Sequence, residues 1–199
     1  MSGTNIEWTD QVWNPVTGCR KVSPGCKHCY AEGVAHRFWA TQYPNVAVGP
    51  TLPDGGPTAW RPRQFTDVMT HEDRLMEPLA WKAPAKVFVN SMSDLFHEDV
   101  DDDFIDRVFA VMAVSKRHTF QVLTKRPARM LAYLQADDLR DRIANVVGWD
   151  GKPDIARAVL GQRFDTDRDV RWPLPNVWLG VSVEDQQRAD ERIPLLLET

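Results

Sequence analysis

Residues 85–94 read Ala85-Lys86-Val87-Phe88-Val89-Asn90-Ser91-Met92-Ser93-Asp94, a short apolar run that ends in polar side chains. β-branched and aromatic residues favour strands, and a continuous apolar run of this length is typical of a strand buried on both faces. A buried strand with polar residues after its carboxyl end is the repeating unit of α/β sheets, whose sites lie at the strand ends.

The same pattern occurs further along the chain. Thr119-Phe120-Gln121-Val122-Leu123 runs into Thr124-Lys125-Arg126, and Val177-Trp178-Leu179-Gly180-Val181 runs into Ser182-Val183-Glu184-Asp185. Helical patterns lie between, one of them opened by Asp101-Asp102-Asp103, an acidic first turn that the helix dipole favours. With a first strand before the cysteines, this alternation predicts an α/β fold with parallel strands, a partial (β/α) TIM-like barrel. Because an eight-stranded barrel needs more units, we expect it to be incomplete at the C-terminus, or completed by a partner.

We expect residues 1–199 to form a single domain with two irregular insertions. Residues 44–64 are rich in proline and glycine, which break regular structure, and residues 137–172 are charged, with one helix around Leu139–Val147.

The overall composition excludes several classes of function. The chain carries 24 basic and 28 acidic side chains, a net charge of −4, so it has no general polyanion-binding field. It has no signal peptide and no run of about 18 apolar residues, so we expect a cytoplasmic protein without a membrane partner. A glycine-rich phosphate loop and a zinc-protease helix motif are also missing from the sequence.

Three cysteines, Cys19, Cys26 and Cys29, lie within one short stretch and nowhere else in the chain. Three thiolates on one loop can bind three irons of a 4Fe–4S cluster and leave the fourth iron open to another ligand. Zinc is the main alternative, with His28, His36 or a carboxylate as fourth ligand. The spacing favours the cluster over zinc, and clustering beside glycine, proline and lysine argues against three ordinary core cysteines.

The segment Cys26-Lys27-His28-Cys29-Tyr30, with a strand before it and a helix after it, resembles the cluster loop of radical S-adenosylmethionine (SAM) enzymes. It departs from their usual spacing, because residues 20–25, six rather than three, separate Cys19 from Cys26. A weaker resemblance, to the photoproduct-lyase branch of these enzymes, implies a nucleic-acid substrate.

The chain is also identified as a member of a phage- and bacteria-associated family of three-cysteine proteins of unknown function. The match rests on Thr4–Asp10, Trp13–Cys19, Ser91–Phe96, Thr124–Pro127 and Trp178–Glu184. Other members continue through more strand–helix units, so we expect Thr199 to mark a truncation.

The radical-enzyme resemblance implies a role for each candidate residue. The three cysteines would bind the cluster, and SAM would chelate the open iron and be cleaved to a 5′-deoxyadenosyl radical. The strand ends would then bind SAM or the substrate. The amino group or ribose hydroxyls of SAM would be bound by Ser91, Ser93 and Asp94. Lys125 would pair with the SAM carboxylate, Arg126 with the same carboxylate or an anionic substrate, and the ribose or the substrate would be held by Ser182 and Glu184. The plainer interpretation is that these residues cap helices, form turns or face solvent.

Two classes of function therefore follow from the sequence. The first is a radical SAM enzyme that uses an electron donor and modifies a nucleic acid or nucleoside. The second is a non-catalytic, phage-associated metal-binding protein, with zinc or a structural cluster, that binds a nucleic acid or protein partner.

Overall fold

The computed structural model describes residues 4, 6–43, 45–52, 54–148 and 172–199. Numbered along the chain, the strands described are β1 (Gln11–Trp13), β2 (Val16–Thr17), β3 (Val46–Thr51), β4 (Pro57–Arg61), β5 (Met69–Thr70), β6 (Lys86–Val89), β7 (Thr119–Thr124) and β8 (Val177–Val181). The helices described are α1 (Tyr30–Gln42), α2 (Glu72–Leu75), α3 (Glu77–Ala80), α4 (Asp102–Val114), α5 (Pro127–Leu134), α6 (Leu139–Gly148) and α7 (Gln186–Leu197), with a 3₁₀ turn at Pro24–Cys26.

A parallel sheet of strands β1, β6, β7 and β8, in that order, organises the described part of the chain. The spatial order follows the chain order, so each crossover leads to the neighbouring strand, and the carboxyl ends of all these strands meet at one edge. The α/β class and the parallel strands predicted from the sequence are confirmed. A closed barrel is not seen among the described residues, since β1 and β8 form the two edges of the sheet.

One face of the sheet packs against helices and forms the core. Along β7, Phe120, Val122 and Thr124 are buried and alternate with half-buried residues, as the two-residue period of a strand requires. Helix α4 lies in the same core and buries ten of its residues, from Phe104 to Val114. Removing this much apolar surface from water supplies the main driving force for folding.

The other face of the sheet is more exposed. Phe88, Gln121 and Trp178 are in register across β6, β7 and β8, and Trp178 is 55% exposed. Trp8 packs edge-on against Phe88 at a centroid distance of 4.7 Å. The sheet therefore has one closed face and one partly open face, and the open face leads to the edge where the polar residues gather.

The structure differs from the irregular segment predicted for residues 44–64. Strands β3 and β4 pair there as an antiparallel hairpin with an irregular register between Val48 and Thr51. Gly55 takes a positive φ of 86° in the turn, and Leu52 N donates to Gly56 O at 2.7 Å. Prolines are tolerated at strand ends and bulges of an edge strand, which is why a proline-rich segment can still pair.

Helix α6 confirms the helix predicted within residues 137–172, whereas residues 149–171 of that segment lie outside the described residues. Across the residues that the structure describes, no helix has both the length and the apolar character needed to span a membrane.

Candidate functional site

A cavity of about 210 Å³ opens at the carboxyl edge of the parallel sheet. Nine of the ten residues predicted from the sequence line it: Cys19, Cys26, Cys29, Ser91, Ser93, Asp94, Lys125, Arg126 and Ser182. The tenth, Glu184, hydrogen-bonds to Gly25 within the segment 19–29, which we call the cysteine loop. The fold thus brings the cysteines and three separate strand ends to one place.

The backbone at Gly18 and Cys19 is fixed by hydrogen bonds to other parts of the chain. Gly18 N donates to Met92 O at 3.0 Å, and Cys19 N donates to Phe65 O at 2.9 Å. Gly18 has a positive φ of 94°, and a Cβ there would collide with the carbonyl of Asp67. A glycine before the first cysteine is therefore required by both backbone conformation and space.

Cys26 and Cys29 lie at the ends of short local structures. Cys26 ends the 3₁₀ turn, with its N–H donating to Ser23 O at 3.0 Å, and Cys29 is the N-cap residue of α1. Local backbone structure therefore places both of these cysteines. All three cysteines are free thiols and partly exposed.

The environments of Cys19 and Cys26 shift their acidities in opposite directions. Burial raises the pKa of the Cys19 thiol, and the nearby Arg126 charge only partly offsets that effect. Burial also raises the pKa of Cys26, but hydrogen bonds from Val22 and Ser23 and the Lys125 charge outweigh it, so that this pKa is lowered. Of the two thiols, Cys26 is therefore the more readily ionised.

Arg126 is engaged by partners within the protein. Its side chain is 8% exposed, and it donates to Glu98 Oε2 at 2.7 Å, to Asp94 Oδ2 at 3.2 Å and to Cys19 Sγ at 3.6 Å. A further bond goes to the carbonyl of Arg20. These bonds occupy the guanidinium, which makes it a poor candidate for binding an external carboxylate.

The carboxylate of Asp94, in the cavity wall, is likewise engaged by several hydrogen-bond donors within the protein. Its carboxylate accepts from Thr124 Oγ1 at 2.7 Å, from Lys125 N at 3.0 Å and from Phe96 N at 3.1 Å, besides Arg126. These bonds join the ends of β6 and β7.

The remaining predicted residues differ in how free they are. Ser91 Oγ donates to Asn14 Oδ1 at 3.3 Å, and Ser93 Oγ donates to Val16 O at 2.9 Å. By contrast, no hydrogen bond or ion pair within the described part of the chain engages the Lys125 ammonium or the Ser182 hydroxyl. Lys125 and Ser182 are therefore the predicted residues best placed to contact a ligand.

Asn90 is a cavity residue that the sequence analysis missed. It is 3% exposed and has a positive φ of 61°, a conformation that asparagine tolerates better than most residues. Its Oδ1 accepts from Val16 N at 3.1 Å, while its Nδ2 has no partner among the described residues. A buried donor without a partner is costly, and strained residues concentrate at functional sites. An asparagine directly after a buried strand was the signal that could have identified it.

The described residues contain no group of three or more histidine, cysteine, aspartate or glutamate side chains that is arranged to hold a metal ion. The three cysteines all line the cavity: Cys19 precedes the 3₁₀ turn, Cys26 ends that turn, and Cys29 lies at the start of α1.

Comparison with known proteins gives one match. A family model described as "Protein of unknown function (DUF5131)" matches residues 3–199. No curated protein and no solved structure matches the chain.

Proposed function

The chain belongs to the DUF5131 family, and we propose that its cavity binds a 4Fe–4S cluster through Cys19, Cys26 and Cys29 and SAM at the iron without a cysteine. The single observation that carries the proposal is the convergence of three free thiols with the polar ends of β6, β7 and β8 on one cavity. A structural metal loop does not need that convergence.

The residues fit the proposed group by their chemistry. A four-iron cube takes its thiolates at three different irons, so its ligands surround a cavity and do not converge on a single point. Cys26, with its lowered pKa, is a favourable thiolate position, and Cys29 lies at the start of α1. When bound, the cluster would supply the electron that cleaves SAM, and the protein would position the ligand and exclude water.

The side chains around the cavity divide into two roles in this proposal. Lys125, Ser182 and Asn90 contact SAM, with the Lys125 ammonium paired to its carboxylate and Asn90 Nδ2 donating to an acceptor atom. Asp94 and Arg126 bond to each other and stabilise the wall of the cavity. Ser91 and Ser93 fix the loop after β6. Glu184 accepts a hydrogen bond from Gly25 of the cysteine loop.

Parallel strands in chain order support the further proposal that the sheet is part of a TIM-like barrel. Its partly open face would then be the barrel interior, where a substrate enters. A nucleic acid or nucleoside as substrate, a separate electron donor and an origin in phages rest on the resemblances of the sequence alone.

The experiment that tests the function is anaerobic purification followed by iron, sulfide and zinc analysis and a visible spectrum. About four irons and four sulfides per chain, lost in Cys26→Ala, would establish the cluster. Release of 5′-deoxyadenosine from SAM after reduction would then establish the enzyme. One zinc and no iron in protein never exposed to air would overturn the proposal and favour the non-catalytic metal-binding alternative.

A further inference from the structure

The cysteine loop rests on the side chain of Glu184, which follows the last strand of the sheet. Gly25 N donates to Glu184 Oε1 at 3.3 Å. A Cβ built at Gly25 would lie 2.7 Å from Glu184 Cδ, closer than a real Cβ can approach, so the contact requires a residue without a side chain. Gly25 has no positive φ, and its role here is therefore the close approach and not the backbone conformation.

Glu184 is itself held by a buried arginine on α7. Arg192 Nη1 lies 2.9 Å from Glu184 Oε2 and 2.6 Å from Ser182 O. The Arg192 side chain is 6% exposed and that of Glu184 is 18% exposed, whereas Glu184 as a whole residue is exposed, so the pair lies at the surface with its arginine covered. Arg192 thus fixes both the carboxylate and the backbone at the end of β8.

The contact between Gly25 and Glu184 lies next to the second cysteine in the chain. Cys26 follows Gly25, and its N–H closes the turn on Ser23 O at 3.0 Å. The Ser23 hydroxyl lies 3.8 Å from Cys26 Sγ. Partial burial raises the pKa of Glu184, but hydrogen bonds from Ser23 and Gly25 and the Arg192 charge outweigh it and lower that pKa. Ser23 and Gly25, two residues of the turn, therefore both interact with the same carboxylate.

We infer that Glu184 and Arg192 are positioning residues, which hold the turn Ser23–Cys26 closed so that Cys26 faces the cavity. The final strand–helix unit of the described chain thereby controls the geometry of a loop near its beginning. This inference concerns the metal-free loop and stands apart from the identity of the bound metal.

The test is hydrogen exchange, followed by mass spectrometry, on the reduced and metal-free full chain. In Glu184→Ala and Arg192→Met, the amides of the turn exchange roughly tenfold faster than in the wild type, because a charged hydrogen bond is lost. Peptides from β7 keep their wild-type rates. Glu184→Gln, which retains an acceptor for Gly25 N, restores part of the protection.

Gly25→Ala disrupts the same contact through the residue on the loop and leaves the buried Arg192 unchanged. It reproduces the faster exchange of the turn even if Arg192→Met fails to fold. The controls are Gly33→Ala, where a Cβ meets no atom within 4 Å, and Arg188→Met, which breaks a more exposed pair with Glu191 on α7. Wild-type exchange of the turn in both Glu184→Ala and Gly25→Ala would overturn the inference.

A second readout separates positioning from general stability. Compared at equal stability in urea, iron-loaded Gly25→Ala releases iron to a chelator roughly tenfold faster than Arg107→Met, which breaks an exposed pair between α4 and α2. Equal rates of iron release in the two variants would reduce Glu184 to an ordinary structural contact. If the wild type holds no iron, the proposed function fails, whereas the exchange experiment still decides the role of Glu184.

Discussion

Arg126 Nη1 lies 3.6 Å from Cys19 Sγ, although 107 positions separate the two residues in the chain. The guanidinium is nearly buried, and its charge opposes the effect of burial on the Cys19 thiol. Arg126 thus connects the carboxyl end of β7 to the first cysteine. This contact explains why a cation occupies the N-cap position of α5, where the helix dipole disfavours it.

Arg126→Met should lower the free energy of unfolding by about 3 kcal/mol, because it leaves the buried Asp94 carboxylate without its cationic partner. Urea titration measures the difference. Arg107→Met is the matched control, since it breaks an exposed pair with Glu72 and should cost under about 1 kcal/mol. Equal effects of the two substitutions would mean that the Arg126–Asp94 pair contributes no more than a surface pair.

Lys125→Ala should weaken SAM binding at least about tenfold, because it removes the cavity cation proposed to pair with the ligand carboxylate. Calorimetric titration of SAM into cluster-loaded protein measures the affinity, and iron content should stay at the wild-type level. Lys86→Ala is a control, since it removes an exposed lysine at the start of β6, the opposite end of the sheet from the cavity. An unchanged affinity in Lys125→Ala would mean that Lys125 is an ordinary solvated residue and does not pair with the SAM carboxylate.

The strand ends were predictable from the sequence because their signals are local. A buried run followed by polar residues predicts where each strand stops, and parallel pairing then brings those residues to one edge. Ser91, Lys125 and Ser182 reach the cavity for that reason. The cysteine loop was equally visible, because its residues lie within one short stretch.

The contacts that hold the site were not predictable, because they join distant parts of the chain. Gly25 and Glu184 are 159 positions apart, and no periodic pattern relates them. Arg192 stands in a polar helix and looks solvated in the sequence, yet it is buried by its bonds to Glu184 and Ser182. The β3–β4 hairpin was missed for another reason: its strands are largely exposed, so they lack the apolar alternation of half-buried strands.

Asn90→Asp should reduce SAM affinity at least about tenfold, because it replaces the unpartnered Nδ2 donor with an acceptor. The change keeps an oxygen for Val16 N and suits the positive φ of this position. Calorimetry measures the affinity, with Asn90→Gly as the companion variant that removes the side chain and keeps the backbone conformation. Wild-type affinity in Asn90→Asp would show that Nδ2 does not face the ligand.

His71 should make the protein less stable as the pH falls below neutrality. The side chain is 9% exposed, its Nε2 lies 2.6 Å from Thr17 Oγ1, and burial together with the charges of Arg74 and Arg63 lowers its pKa to about 4. Between that value and the ordinary pKa of about 6.5, the unfolded chain binds a proton that the folded chain does not, so stability is present above this window and lost within it.

At roughly 1.4 kcal/mol per pKa unit, the loss between about pH 7.5 and about pH 4.5 amounts to about 2–3 kcal/mol from this histidine. Urea unfolding at the two pH values should therefore show a smaller pH dependence in His71→Gln than in the wild type. His97 and His118, whose pKa values burial also lowers, remain in both proteins and cancel in the comparison. An identical pH dependence in the two proteins would mean that His71 becomes protonated without unfolding, through a local opening of its contact with Thr17.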